Sequence, residues 1–251
     1  MITSYDCSDP AQRRDGLAAA HRAVERKQCV VLPTDTVYGI GADAFSPQAV
    51  ATLLASKGRG RNMPPPVLIP RLQTLDGLAV EVHPDARRLA EAFWPGALTL
   101  ICHAQPSLSW DLGDTLGTVA LRVPDDDVAL ELLALTGPLA VSSANRTGQD
   151  AATTAADAAA QLAESVAVYL DAGPRTAADG IGSTIVDATG EVLRIVRQGN
   201  LSAARLREVV PGLAGAGDDA ELAVDAAPED RDPADAAPAV DAAPEGRGPA
   251  A

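Results

Sequence analysis

The feature that most constrains this chain is a regular alternation. Short apolar runs of three to six residues are separated by segments with helical spacing or by turns, from Pro10 to about residue 210. Cys29–Leu32, Val67–Ile69, Leu98–Cys102, Thr118–Val123, Leu139–Val141, Val166–Leu170, Ser183–Asp187 and Val192–Val196 read as strands. Between them, Pro10–Lys27, Pro47–Ala55, Pro84–Phe93, Asp126–Leu135 and a segment from Thr153 or Thr154 to Ala163 read as helices. Asp9, Ser46 and Ser202 are placed to cap helices, and Pro47 suits a first turn. Interleaving of this kind predicts an α/β domain built on a sheet covered by helices, with antiparallel pairing near the end, where the Thr189-Gly190 connection is short.

Composition sets the limits of that domain. From Gly212 to Ala251 bulky apolar residues nearly vanish, "DAAP" recurs at Asp225, Asp235 and Asp241, and ten acids face only Arg231 and Arg247. Such a segment has too little apolar surface to offset chain entropy, which predicts one domain over 1–211 and a disordered acidic tail over 212–251. Removing the tail's ten acids and two arginines from the whole chain's −14 leaves 24 acidic and 18 basic residues, a net of −6. That balance argues against a protein whose main activity is coating nucleic acid, but permits a focused anion site. Cys7, Cys29 and Cys102 form no CxxC pair, an odd count that fits a reducing compartment. The first residues lack a leader pattern and no long apolar run occurs, so the expectation is a soluble cytoplasmic protein with no membrane contact.

Four polar segments interrupt this pattern. The apolar run Cys29–Pro33 passes directly into Thr34, Asp35, Thr36 and a glycine pair, Gly39 and Gly41, where the strand is expected to end. The "GIGADA" spacing imitates a dinucleotide fingerprint, yet the glycines are not at a strand-to-helix turn and no acid follows at the right distance. In "ASKGRGRNMPPP", Lys57, Arg59 and Arg61 alternate with glycines. If the loop is extended, the three cations share one side and require a polyanion; the bland reading is a solvated basic loop. "AVSSANRTGQ" puts Ser142, Ser143 and Asn145 after an apolar strand, in the crevice position of open sheets. No histidine among His21, His83 and His103 is placed to activate those serines, so they are read as binding groups. In "GTVALRVPDD", Thr118 and Arg122 share a strand face. Arg122 is either an anion clamp or the partner of Asp125 or Asp126. Ser183, Thr184 and Arg197 lie at strand ends, and Tyr38 and Trp94 are read as packing rather than stacking groups.

Taken together, "PTDTVYGIGADA", "KGR" at 57–59, "FWPGALTL" from Phe93, "TVALRVP" from Thr118, "SSANRTG" from Ser142, "STIVD" from Ser183 and "RQG" from Arg197 resemble the Sua5/YciO/YrdC family, in order, over roughly residues 10 to 210. The resemblance implies a twisted mixed α/β sheet of the YrdC type around a positively lined cavity. It implies the joining of L-threonine, bicarbonate or CO2, and ATP into threonylcarbamoyl-adenylate with release of pyrophosphate, for the t6A modification at tRNA position 37. It implies threonine near Thr36, Arg122, Ser183 and Thr184, and ATP near Lys57, Arg59, Thr118, Ser142, Ser143, Asn145 and Arg197. Lys57 and Arg59 would be the charge-stabilising catalytic pair, with Mg2+ on the phosphates and no metal held by the protein. Downstream t6A transfer proteins would take the product. The family pattern has a histidine where Leu68 stands and an asparagine where Met63 stands, so neither contact carries over. The rival expectations are a non-catalytic RNA-binding module, weakened by the net −6, and a carbamoyl-adenylate enzyme acting on another amine.

Overall fold

The computed structural model describes residues 3–175 and 181–215, all within a compact unit that ends at Asp218. Among the described residues the eleven strands are β1 (Ser4–Asp6), β2 (Val30–Leu32), β3 (Gly39–Asp43), β4 (Val67–Leu68), β5 (Ala79–Val80), β6 (Leu98–Ala104), β7 (Thr118–Arg122), β8 (Leu139–Ser143), β9 (Val168–Asp171), β10 (Thr184–Asp187) and β11 (Arg194–Arg197). Its helices are α1 (Pro10–Glu25), α2 (Pro47–Lys57), α3 (Leu75–Leu78), α4 (Pro84–Phe93), α5 (Asp127–Thr136), α6 (Ala155–Leu162) and α7 (Ala203–Val209).

The helix starts are chemically specified. Asp9, Ser46, Asp126, Thr154 and Ser202 each accept a hydrogen bond from the backbone N–H three residues on, satisfying a donor the first turn would otherwise orphan. Each such cap contributes about 1 kcal/mol. Pro10, Pro47 and Pro84 open their helices, where a missing N–H costs nothing.

All strands join one mixed sheet in the order β1-β9-β2-β3-β8-β4-β7-β6-β10-β11, with β5 also paired to β6. Antiparallel pairing is far more widespread than the short β10–β11 connection suggested: it also joins β2–β3, β3–β8, β4–β8, β6–β7 and β5–β6. The chief difference from the sequence expectation is β3. Gly39–Asp43 is a strand rather than a ligand loop, and its register sets Gly39 beside Ser143 and Ile40 beside Ser142.

Alternation along the strands divides the side chains between two faces. On one face Val31, Tyr38, Ile40, Val67, Leu98, Leu100, Val119, Leu121, Ala140 and Tyr169 meet Leu53, Leu89 and Leu206 in the larger core. On the other, Val30, Leu32, Leu68, Leu139, Val141, Val168 and Leu170 are covered by Leu17, Ala20 and Val24 of α1 and Val128, Leu132 and Leu133 of α5. That cover involves no residue of β6, β7, β10 or β11. Over those strands the second face carries Thr99, Ile101, Thr118, Ala120, Arg122, Ile185 and Arg197, and these line a cavity instead of a core. The cavity is therefore a stretch of sheet that this second core leaves uncovered.

Packing continues past the boundary expected at residue 211. Leu213 is buried, and Ala214 exchanges backbone hydrogen bonds with Leu193 and Ile195, so Gly212–Gly215 belong to the domain; the rest of the predicted tail lies outside the described residues. No described helix is long and apolar enough to cross a membrane. The three thiols are free and buried.

Candidate functional site

The cavity has a volume of about 450 Å³, within the range of small-molecule sites. Its polar lining includes Thr34 and Thr36 after β2, Arg59 after α2, Thr99 on β6, Thr115 before β7, Thr118 and Arg122 on β7, Ser142 and Ser143 on β8, Ser183 before β10 and Arg197 at the end of β11. Pro64, Pro65, Pro66, Leu68, Leu112 and Ile185 supply apolar walls.

Arg122 is the most confined of the charged groups. Its Nη2 donates to Asp35 Oδ1 at 2.6 Å, Nη1 to Thr36 Oγ1 at 3.2 Å and Nε to the Gly96 carbonyl at 2.9 Å. The Asp35 oxygen also accepts from the Asp125 N–H at 3.0 Å. This corrects the local alternative: Arg122 pairs with neither Asp125 nor Asp126, and Asp126 caps α5 and binds Arg175 at 2.7 Å. Burial pulls the Arg122 pKa down, and Asp35 opposes that pull.

The hydroxyls beside it can be assigned. Thr34 Oγ1 spends its proton on the Val37 carbonyl at 2.6 Å, so the 3.0 Å contact between the two threonines is donated by Thr36. Thr36 then accepts from Arg122 and keeps a lone pair toward the cavity.

Arg59 and Arg197 stand differently. Gly58 takes the left-handed conformation at φ +66, ending α2 and letting Arg59 leave toward the cavity. Arg59 Nη1 donates to Ser142 Oγ at 3.0 Å, and its buried Nε has no partner. Arg197 donates to the Ser183 carbonyl from Nε at 3.2 Å and Nη2 at 2.8 Å, and to Ser183 Oγ at 3.3 Å; that hydroxyl also meets Thr99 Oγ1 at 2.7 Å. Both guanidiniums thus touch only neutral oxygens. Burial lowers both pKa values, and for Arg197 the charges of Arg122 and Arg59 lower it further. Among the described residues the lining contains no aspartate or glutamate. Arg59 is half-buried and Arg197 more exposed; a partly desolvated cation that faces neutral groups is costly, and an anion between the two would offset that cost.

Three expected contacts lie behind the wall. Lys57 is the last residue of α2, not part of an extended loop, and its side chain is buried. Its Nζ donates to the carbonyls of Ser143 and Asn145 and, at 3.4 Å, to Asn145 Oδ1, which uses the three donors of an ammonium. Burial, with the Arg59 charge added, pulls its pKa down to about 7. Asn145 completes the turn by donating to the Arg146 and Gln149 carbonyls, and Thr184 Oγ1 bridges the Leu201 carbonyl and the Gly199 N–H. Lys57, Asn145 and Thr184 are absent from the lining. Nor do the three cations share a side: Arg61 turns outward to Asp111 at 2.8 Å and Asp114 at 3.6 Å. The remaining predicted site residues, Thr36, Arg59, Thr118, Arg122, Ser142, Ser143, Ser183 and Arg197, come together around one space.

The structure adds Thr99, which the sequence reading did not name, and gives partners to Thr34 and Asp35, which that reading placed in the first polar segment without assigning them a contact. Leu68 does line the cavity, whereas Met63 is an exposed residue away from it. Tyr38 is a buried packing group whose hydroxyl donates to the Gly173 carbonyl at 2.7 Å, and Trp94 Nε1 donates to the Leu98 carbonyl. Gly39 has a steric reason, since a Cβ there would lie 2.6 Å from Val141 Cγ1. None of the histidines lines the cavity, so no described serine has an imidazole base; among the described residues no group of three or more His, Cys, Asp or Glu is placed to hold a metal ion. The arrangement suits binding one polyanion and one small carboxylate, with positive charge where negative charge develops.

Comparison with known proteins gives a consistent picture. The model of the Sua5/YciO/YrdC family, described as "Telomere recombination", matches residues 22–199. A Mycobacterium tuberculosis protein provisionally named threonylcarbamoyl-AMP synthase is 52% identical over 210 residues, which are 84% of this chain and 96% of that protein. The Bacillus subtilis threonylcarbamoyl-AMP synthase is 34% identical over 82% of this chain and 60% of its own length. Among solved structures, Pyrococcus abyssi Sua5 complexed with L-threonine superposes with a TM-score of 0.77 at 29% identity, over 86% of this chain and 62% of that one. This chain thus spans nearly the whole mycobacterial relative but under two thirds of the other two.

Proposed function

The chain belongs to the Sua5/YciO/YrdC family, and from that premise we propose that it makes threonylcarbamoyl-AMP and pyrophosphate from L-threonine, bicarbonate or CO2, and ATP, as the precursor of the t6A modification of tRNA. One observation carries the reading beyond the family names. The half-buried Arg59 and the more exposed Arg197 face a cavity whose lining, among the described residues, offers no carboxylate to neutralise them, which fits a triphosphate.

The chemistry asks for no protein nucleophile. The amine of threonine adds to CO2, forming a C–N bond and losing a proton. An oxygen of the resulting carbamate attacks the α-phosphorus, and the bond to the pyrophosphate oxygen breaks. The protein supplies position and charge. Arg59 and Arg197, with Ser142, Ser143 and Thr118, hold the nucleotide; Arg122, Thr36 and Ser183 hold the amino acid. Lys57 and Asn145 act one step back by fixing the turn that carries Ser142 and Ser143, and Thr184 by fixing Gly199 beneath Arg197. Magnesium would be held by the nucleotide it enters with, since among the described residues the lining offers hydroxyls and arginines but no carboxylate, imidazole or thiolate. The product is a reactive mixed anhydride, so a downstream transfer protein must receive it. An RNA-binding module is the weaker reading, since the free cations lie inside a confined hollow rather than along a groove.

The test is pyrophosphate release from ATP and bicarbonate with each amino acid in turn. Release that depends on threonine supports the proposal. Release with a different amine points to a related adenylate enzyme, and none with any amine removes the catalytic reading.

A further inference from the structure

Leu68 is the lining residue whose place carries the most information about which amino acid fits. It pairs in register with Arg122 across β4 and β7, so the two side chains stand side by side on the cavity face. Its other strand neighbour is Leu139 on β8, a buried residue that packs beside it on the same face. Arg122 leads to Thr36, at 3.2 Å, and Val37 and Val141 complete the apolar side of the same lining.

This corner therefore presents three things together: a guanidinium with donors left over after Asp35, Thr36 and Gly96; a threonine hydroxyl whose proton is already committed, leaving an acceptor; and an aliphatic wall. Those are complementary to a carboxylate, a hydroxyl that donates, and a methyl group. On the amino acid the carboxylate is carried by Cα and the hydroxyl and methyl by the adjoining Cβ, so a carboxylate on Arg122 brings the β-carbon to the neighbouring residue of the sheet.

We propose that Leu68 is a specificity-determining residue: it forms the wall against which the β-methyl of the amino acid rests, favouring threonine over serine, while Thr36 favours threonine over valine. This rests on the synthase reading given above. A single methyl group in an apolar pocket is worth about tenfold or more in kcat/KM, so the effect is large enough to measure.

The experiment compares threonine, serine and valine by steady-state pyrophosphate release in the wild type, Leu68→Ala and Leu68→Val, with calorimetric binding of each amino acid alongside. Leu68→Ala should lower the threonine-to-serine ratio of kcat/KM about fivefold and leave the KM for ATP within about twofold, with Leu68→Val shifting the ratio the same way by less. An unchanged ratio in a variant that still turns over threonine overturns the proposal, as does a change confined to the KM for ATP. Should Leu68→Ala fail to fold, the one-carbon truncation Leu68→Val decides alone. If the wild type binds threonine better than serine but releases no pyrophosphate, the synthase reading falls; calorimetry on the variants then upholds or overturns the role of Leu68 by itself.

Discussion

Replacing Asp35 by alanine removes the one carboxylate that, among the described residues, touches a cavity arginine. The pair is well buried, with side-chain exposures of 7% for Arg122 and 16% for Asp35, and its shortest contact is 2.6 Å. With charge centres about 4 Å apart and an effective permittivity of about 20, the lost attraction is about 4 kcal/mol. The Asp125 N–H also loses its acceptor, while Arg122 keeps the Gly96 carbonyl and Thr36. Stranding one partner of a buried pair costs about 3–5 kcal/mol in general, so both routes agree. Equilibrium urea unfolding reads this directly: with a slope near 2 kcal/mol per M, the midpoint should fall by about 2 M. Arg122→Met added to Asp35→Ala should recover part of the loss, because no buried charge is then left alone. A midpoint shift below about 0.5 M for Asp35→Ala would refute the view that this pair is a buried, mutually dependent unit.

Other expectations follow from the same geometry. Arg59→Met and Arg197→Met should each raise the KM for ATP by about tenfold or more and move the KM for threonine much less, as steady-state kinetics at fixed salt will tell. Lys57 titrates near 7 when folded and 10.5 when unfolded, so between those values the unfolded chain holds the extra proton and stability must rise with pH. The stability of the wild type relative to Lys57→Met should therefore climb by up to about 1.4 kcal/mol per pH unit above 7, measured by denaturation from pH 6 to 9, and stay level below it. Gly199→Ala would put a Cβ 2.3 Å from the Ser183 carbonyl carbon and 2.4 Å from the Gly182 carbonyl oxygen, forcing Ser183 away from Arg197. It should lower kcat/KM for ATP and destabilise the domain by about 1–3 kcal/mol.

How much of this was legible beforehand depended on whether the controlling contact is local. The α4 helix, Pro84–Phe93, emerges as expected because Pro84 starts it and Trp94-Pro95 ends it, all within a dozen residues. Thr36, Arg59, Ser142 and Arg197 could be singled out because small hydroxyls and cations at the ends of apolar runs have nowhere to go but a crevice. The strand β3 was missed because its glycines read as a loop; their reason is the side chains of Leu32 and Val141 on neighbouring strands, which only the register reveals. Likewise Lys57 looked like a phosphate ligand because nothing nearby in sequence could hold it, yet its acceptors lie 86 to 88 residues away. Asp35 was overlooked as the partner of Arg122 for the same reason, at a separation of 87 residues. Charge type is readable from the chain, whereas the pairing that decides whether a charge is free or spent is not.

The most direct test supplies the protein with ATP, magnesium, L-threonine and 13C-labelled bicarbonate and follows the nucleotide products by mass spectrometry. The account predicts an adenylate that contains threonine and one labelled carbon, formed together with pyrophosphate and lost when Arg59 is replaced by methionine. Unlabelled AMP alone, or ATP left intact in the presence of all four components, would contradict it.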